Sequence, residues 1–175
     1  MTTYVAFLRG INVGGINIKM ADLTRAFEAL GLSDVKTILA SGNVRFSTAE
    51  TNGPVLKRKI EDALRARYRY EAWVIVLDLA TVERIIEACP YPDDDPERQS
   101  YVMFLADPSV AEELLSVQEE LDPTVDRIQL GDGVIYWEVT KGETIGSTFG
   151  KHSAKARFKP LVTTRNLRTL RKVLG

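Results

Sequence analysis

Two five-residue apolar runs, Tyr4-Val5-Ala6-Phe7-Leu8 and Tyr101-Val102-Met103-Phe104-Leu105, carry Tyr, Val, Phe and Leu at matching offsets. Each is too short for a helix and suits a buried strand. The echo makes each half of the chain a template for reading the other.

After the first run, Met20, Leu23, Phe27 and Leu30 recur at helical spacing, and Gly31 supplies the stop. Residues 35–39 and 44–46 read as strands around Ser41-Gly42-Asn43, whose glycine and asparagine tolerate positive φ in a tight hairpin. Asn52-Gly53-Pro54 opens a second helix with proline in its first turn and Leu56, Ile60 and Leu64 as the inward stripe. Residues 73–77 form a fourth strand, completing the βαββαβ order of a ferredoxin-like unit. A further helix from about residue 79 to 89, with Val82, Ile85 and Ile86 on one face, closes a first half over residues 1–89.

Three prolines and three aspartates in Cys89-Pro90-Tyr91-Pro92-Asp93-Asp94-Asp95-Pro96 deny both helix and strand and mark a boundary. The second half, residues 98–175, repeats the pattern in reduced form. Its strand at 101–105 leads to a helix at 109–121, then strands near 125–130 and 134–139 joined by Gly131-Asp132-Gly133. Residues 140–162 read as irregular, and a basic helix over about 164–174 follows, capped by Thr163 or Thr164. The expected fold is α+β: two ferredoxin-like halves, the second degenerate, packed together. Trp73, Ile75 and Leu77 alternate with Val74 and Val76, so this strand is apolar on both faces. A one-sided sheet should alternate with polar residues, so either the other half or another subunit is expected to cover it.

At 45% hydrophobic and 27% charged residues, the chain belongs with soluble globular proteins. It has no apolar run near the roughly 20 residues that span a bilayer, and no basic segment ahead of an apolar start. A cytoplasmic location with no membrane partner is expected. Cys89 has no partner for an internal disulfide, and one cysteine with one histidine cannot build a usual structural zinc site. No metal or cofactor is expected. Asp93-Asp94-Asp95 reads as solvated rather than as a cation site.

The formal net charge of −1 hides an asymmetry, because residues 90–146 balance to −11 and residues 147–175 to +8. Either the basic end meets an anionic partner, or the two segments neutralise one another in the fold.

Chemistry centres on the loop after the first strand, Arg9-Gly10-Ile11-Asn12-Val13-Gly14-Gly15-Ile16-Asn17-Ile18-Lys19. Its glycines let backbone N–H groups approach a ligand at a helix start, while Arg9, Asn12, Asn17 and Lys19 add side-chain donors. That suits a phosphate or carboxylate, although no dinucleotide or P-loop spacing is present. The alternative is a tight loop whose asparagines bond local backbone. Ser41 and Asn43 are a second candidate. The third strand runs antiparallel to the first, so its start should lie beside the first strand's end. Thr164, Arg165 and Asn166 are a third, holding an anion at a helix start or merely capping it. His152, the only histidine, sits in a polar, basic stretch that reads as surface.

Leu8-Arg9-Gly10-Ile11-Asn12-Val13-Gly14-Gly15, Lys19-Met20, Leu23, Gly31, Thr37, Ser41-Gly42-Asn43-Val44, Phe46 and Thr163-Thr164-Arg165-Asn166 with Thr169 resemble the bacterial domain-of-unknown-function family 1697 along essentially the whole chain. That family usually continues the last motif with tryptophan and asparagine, where this chain has Leu167 and Arg168. The resemblance implies two ferredoxin-like halves and no established activity. Three functions remain open. The chain could bind an anionic ligand (nucleotide, phosphorylated metabolite or nucleic acid) at the first loop, or be an enzyme using the same donors. It could also be an interaction or structural protein with no small-molecule site. The oligomeric state is left open.

Overall fold

The computed structural model describes residues 1–9 and 16–175. Two compact units emerge, residues 1–83 with 172–175 and residues 84–171.

In the first unit, β1 (Thr2–Arg9) leads to α1 (Met20–Glu28), β2 (Ser33–Ile38), β3 (Asn43–Thr48), α2 (Gly53–Tyr68) and β4 (Trp73–Asp78). The strands form an antiparallel sheet in the order β2-β3-β1-β4, as the βαββαβ reading requires. Tyr4, Ala6 and Leu8 of β1 point into a core with Val44, Phe46 and Val74, sealed by Leu23 and Phe27 of α1 and Leu56, Ile60 and Leu64 of α2. Burying each such large side chain is worth about 1.5–3 kcal/mol. Val5 and Phe7, on the other face of β1, are equally buried. On that same face of β4, Trp73, Ile75 and Leu77 are half-buried, so the strand expected to be covered on both sides is covered only in part there. Asn52 caps α2 by accepting from Val55 N–H at 3.1 Å. Glu61 and Arg65 of α2 then satisfy the outer edge of the sheet, accepting from Val74 N–H at 3.0 Å and donating to Ala72 O at 2.9 Å.

α3 (Leu79–Glu87) carries the division between the units. The second unit continues with β5 (Arg98–Leu105), α4 (Val110–Leu115), β6 (Asp126–Leu130), β7 (Val134–Thr140), α5 (Thr148–Ser153), β8 (Val162–Asn166) and the first residues of α6 (Leu167–Leu174), whose end from Lys172 on falls in the first unit. Its sheet order, β6-β7-β5-β8, reproduces that of the first unit strand for strand. Degeneracy lies in the helices: α4 and α5 have six residues each, against sixteen in α2. The helix expected over 109–121 stops at Leu115, where Ser116 Oγ donates back to Glu113 O at 2.7 Å, and resumes as a 3-10 turn over Gln118–Glu120.

Residues 140–162, expected to be irregular, contain α5. Its sequence hides the helix because Gly150 sits inside it. A Cβ there would lie 2.0 Å from Thr144 O, so the close chain crossing demands glycine despite its poor helix propensity. Residues 162–166 form β8 and not the start of the last helix. Each of Thr163, Thr164, Arg165 and Asn166 pairs with a residue of β5, and the ladder overrides their helix-start chemistry.

Asp126 is the buried polar anchor of this unit, 1% exposed. Its carboxylate accepts from Trp137 Nε1 at 2.7 Å and from Phe149 N–H at 3.0 Å, fixing β7 and α5 to β6. Asp126→Ala strands both donors in a dry core and should cost about 1–3 kcal/mol per lost partner in urea unfolding. In the first unit, Asp22 of α1 accepts from Arg67 at 2.6 and 3.1 Å and from Tyr68 Oη at 2.6 Å. These bonds hold the Asp22 carboxyl well below the usual carboxylate range, while burial first and then the Asp22 bond push the Tyr68 phenol up to about 12. A carboxyl whose folded pKa is depressed stabilises above its unfolded pKa of about 3.9 and loses that contribution as pH falls. Asp22→Asn should therefore lower Tm at pH 7, with the gap from wild type closing steadily below about pH 4.

Candidate functional site

β1 is an interior strand, and its C-terminal end is where the candidate residues gather. Phe7 pairs with Asn43 of β3 on one side, and Arg9 pairs with Trp73 of β4 on the other. Leu8 N–H donates to Gly42 O at 2.8 Å, so the hairpin 39–42 lies directly alongside this end. The topological expectation that Asn43 sits beside the end of the first strand follows from that register. Gly42 has φ +88°, a left-handed turn position that suits glycine.

Arg9 is half-buried, and burial lowers its guanidinium pKa from the ordinary value. Gly10, Asn12, Gly14 and Gly15 lie outside the described residues. Beyond them, Asn17 and Lys19 are exposed just before α1, while Ile18 between them is buried and anchors the approach to the helix. Lys19 occupies the cap position of α1 without a side-chain cap bond, unlike Asn52 at α2. The first turn of α1 thus keeps backbone N–H groups that no side-chain cap takes up.

Asn43 is wholly buried, and its Nδ2 donates to Ile38 O at 2.8 Å and to Ser41 Oγ at 2.9 Å. Both donors of the amide are therefore engaged in holding the hairpin loop closed. Arg45, two residues on, donates from Nη1 to Val173 O at 3.0 Å and Leu174 O at 2.7 Å, capping the end of α6.

Of the third candidate, Thr164 and Arg165 lie on β8 and not at a helix start. Arg165 is buried on β8 and donates to Thr163 Oγ1 at 2.6 Å and Thr164 O at 3.0 Å. Asn166 caps α6, its Oδ1 accepting from Arg168 N–H at 2.9 Å, so the capping role falls to Asn166 and not to Thr163 or Thr164. His152 is not on the surface. It is 7% exposed, packs edge-on against Phe158, and donates from Nε2 to Glu113 O at 3.0 Å. A carbonyl can only accept, which fixes the proton on Nε2.

Part of the charge asymmetry is met inside the second unit. Arg157 pairs with Glu113 at 2.7 Å, Arg171 pairs with Asp93, and Arg168 Nε donates to Asp93 O at 2.8 Å. These contacts join the basic end to the acidic segment, as the self-neutralising alternative expects. Asp93 is thus committed to the last helix. Glu138, 1% exposed on β7, is paired with Arg127 and lies 3.6 Å from Arg98.

Sequence reasoning did not single out Trp73, the direct partner of Arg9 across β1 and β4. Its place in an apolar run signals core, and only the register sets it across from Arg9. Tyr70, three residues earlier, has a hydroxyl with no hydrogen-bond partner among the described residues, and burial pushes its pKa up to about 12.

Asn43→Ala removes the bonds that close the hairpin and leaves Ile38 O without that donor. Thermal or urea unfolding should show a loss of about 1–3 kcal/mol.

A solved structure, that of conserved bacterial protein SP0830 from Streptococcus pneumoniae, superposes with a TM-score of 0.80 at 24% identity, covering 99% of this chain and 97% of that one. The likeness at this identity is one of fold. No protein of curated function matches the chain. A family model described as "Protein of unknown function (DUF1697)" matches residues 1–136. With that match spanning most of its length, the chain belongs to the DUF1697 family.

Proposed function

We propose that this protein binds a phosphate-bearing anionic ligand at the C-terminal end of β1, in the polar cluster running from Arg9 to Lys19. One observation carries the reading: the sheet register brings a half-buried arginine to the strand end from which the chain runs toward the uncapped start of α1. A guanidinium in partly desolvated surroundings attracts an anion more strongly than one in bulk water, and backbone N–H groups at a helix start add to it. Gly10, Asn12, Gly14, Gly15 and Asn17 are proposed as further contacts, with glycines admitting the ligand to the backbone. Asn43 supports the site from beneath, since its donors hold the neighbouring hairpin. A cytoplasmic protein binding phosphorylated metabolites or nucleotides fits this chemistry. Catalysis is not part of the proposal, because no nucleophile and base stand together among the described candidates.

Thermal-shift measurements against phosphorylated metabolites and nucleotides should show a concentration-dependent rise in Tm, as expected for a ligand that binds only the folded state. The double variant Arg9→Ala, Lys19→Ala should keep the unliganded Tm close to wild type and lose the ligand-induced rise. If the double variant unfolds, the cluster is scaffold; if wild type responds to no phosphorylated compound, the binding reading is wrong.

A further inference from the structure

The two tryptophans of this chain are used in opposite ways. Trp137 is 3% exposed, its indole N–H donates to Asp126, and its ring packs between Tyr101 at 5.2 Å and Phe149 at 5.3 Å. Trp73 is half-buried at the start of β4, a terminal strand of its sheet. Its indole has no hydrogen-bond, ring-stacking or cation–π partner among the described residues. A tryptophan spent on packing would resemble the first case, because a large amphipathic ring stabilises most when its face is covered and its N–H is bonded.

Register places this unspent ring. Trp73 is the direct antiparallel partner of Arg9, and such partners share a sheet face with Cβ atoms about 4.5–5.5 Å apart. Ile75, the partner of Phe7, continues the same face and is also half-buried. Beside the arginine there is thus an apolar, partly aromatic wall. Phosphate alone has no use for such a wall, whereas a ligand joining a phosphate to a planar ring would use both.

We infer that the ligand is a nucleoside phosphate unit, its phosphate held by Arg9 and its base stacked on the indole of Trp73. This rests on the anion-binding reading above and narrows it. Every base has a π face, so stacking here selects for the presence of a base more than for its identity. The free nucleotide and a single-stranded nucleic acid share this chemistry.

The test is calorimetric titration of the full chain with inorganic phosphate, ribose 5-phosphate, AMP and a short single-stranded oligonucleotide, alongside tryptophan fluorescence. Trp137 is sealed in the core, so quenching reports on Trp73. The expected result is that AMP or the oligonucleotide binds at least about tenfold more tightly than either base-free phosphate and quenches the emission. Whichever of the two binds more tightly identifies the source of the base. Trp73→Ala should remove that advantage, about tenfold in affinity, and leave binding of inorganic phosphate unchanged. Trp73→Phe, which keeps a stacking face and the strand's packing, should restore most of it and guards against an alanine variant that fails to fold. Equal affinities for AMP and ribose 5-phosphate would overturn the stacking inference and leave the anion site standing. No binding by any of the four would overturn both.

Discussion

The fold of the first unit, and the candidate site with it, hang on the burial of β1 between two antiparallel partners. Every residue from Val5 to Leu8 is 1% exposed or less, and β3 and β4 take up the hydrogen bonds of its two edges. A strand so enclosed has no freedom of register, because a slip of one residue would exchange the two buried faces. Where β1 ends is therefore fixed, and Arg9 is delivered to one place beside the 39–42 hairpin and the start of β4. The site hypothesis follows from that constraint more than from the glycines that first draw attention to the loop.

The second unit uses the same strand order with a different internal anchor. Here Asp126, Trp137 and Phe149 form one buried bonded group, and the shortened helices α4 and α5 pack about it. The single histidine serves the same end, tying α5 to the last turn of α4. Buried polar groups of this kind are satisfied locally and carry structural roles.

The charge distribution shows a similar division between appearance and use. A basic end and an acidic middle suggest an external partner, yet Arg157, Arg168 and Arg171 spend their guanidinium groups on Glu113 and Asp93. Exposed ion pairs of this sort contribute little individually. Their consequence is to reduce the field that a polyanion would meet at this end of the chain.

The sequence by itself determined the βαββαβ order of the first half, the hairpins around Ser41-Gly42-Asn43 and Gly131-Asp132-Gly133, the inward stripes of α1 and α2, and the family. These follow from short-range periodicity and turn chemistry, which the chain carries locally. Tertiary structure decided the rest. Strand β8 was illegible because Thr163–Asn166 reads as a capping sequence until β5 supplies a ladder. Helix α5 was illegible because Gly150 looks like a breaker until the Thr144 carbonyl is seen against it. The pairing of Trp73 with Arg9 depends on a register spanning more than sixty residues of chain, and no local pattern encodes it. The arginine at the strand end could be read from the sequence; the aromatic ring beside it could only be seen in the fold.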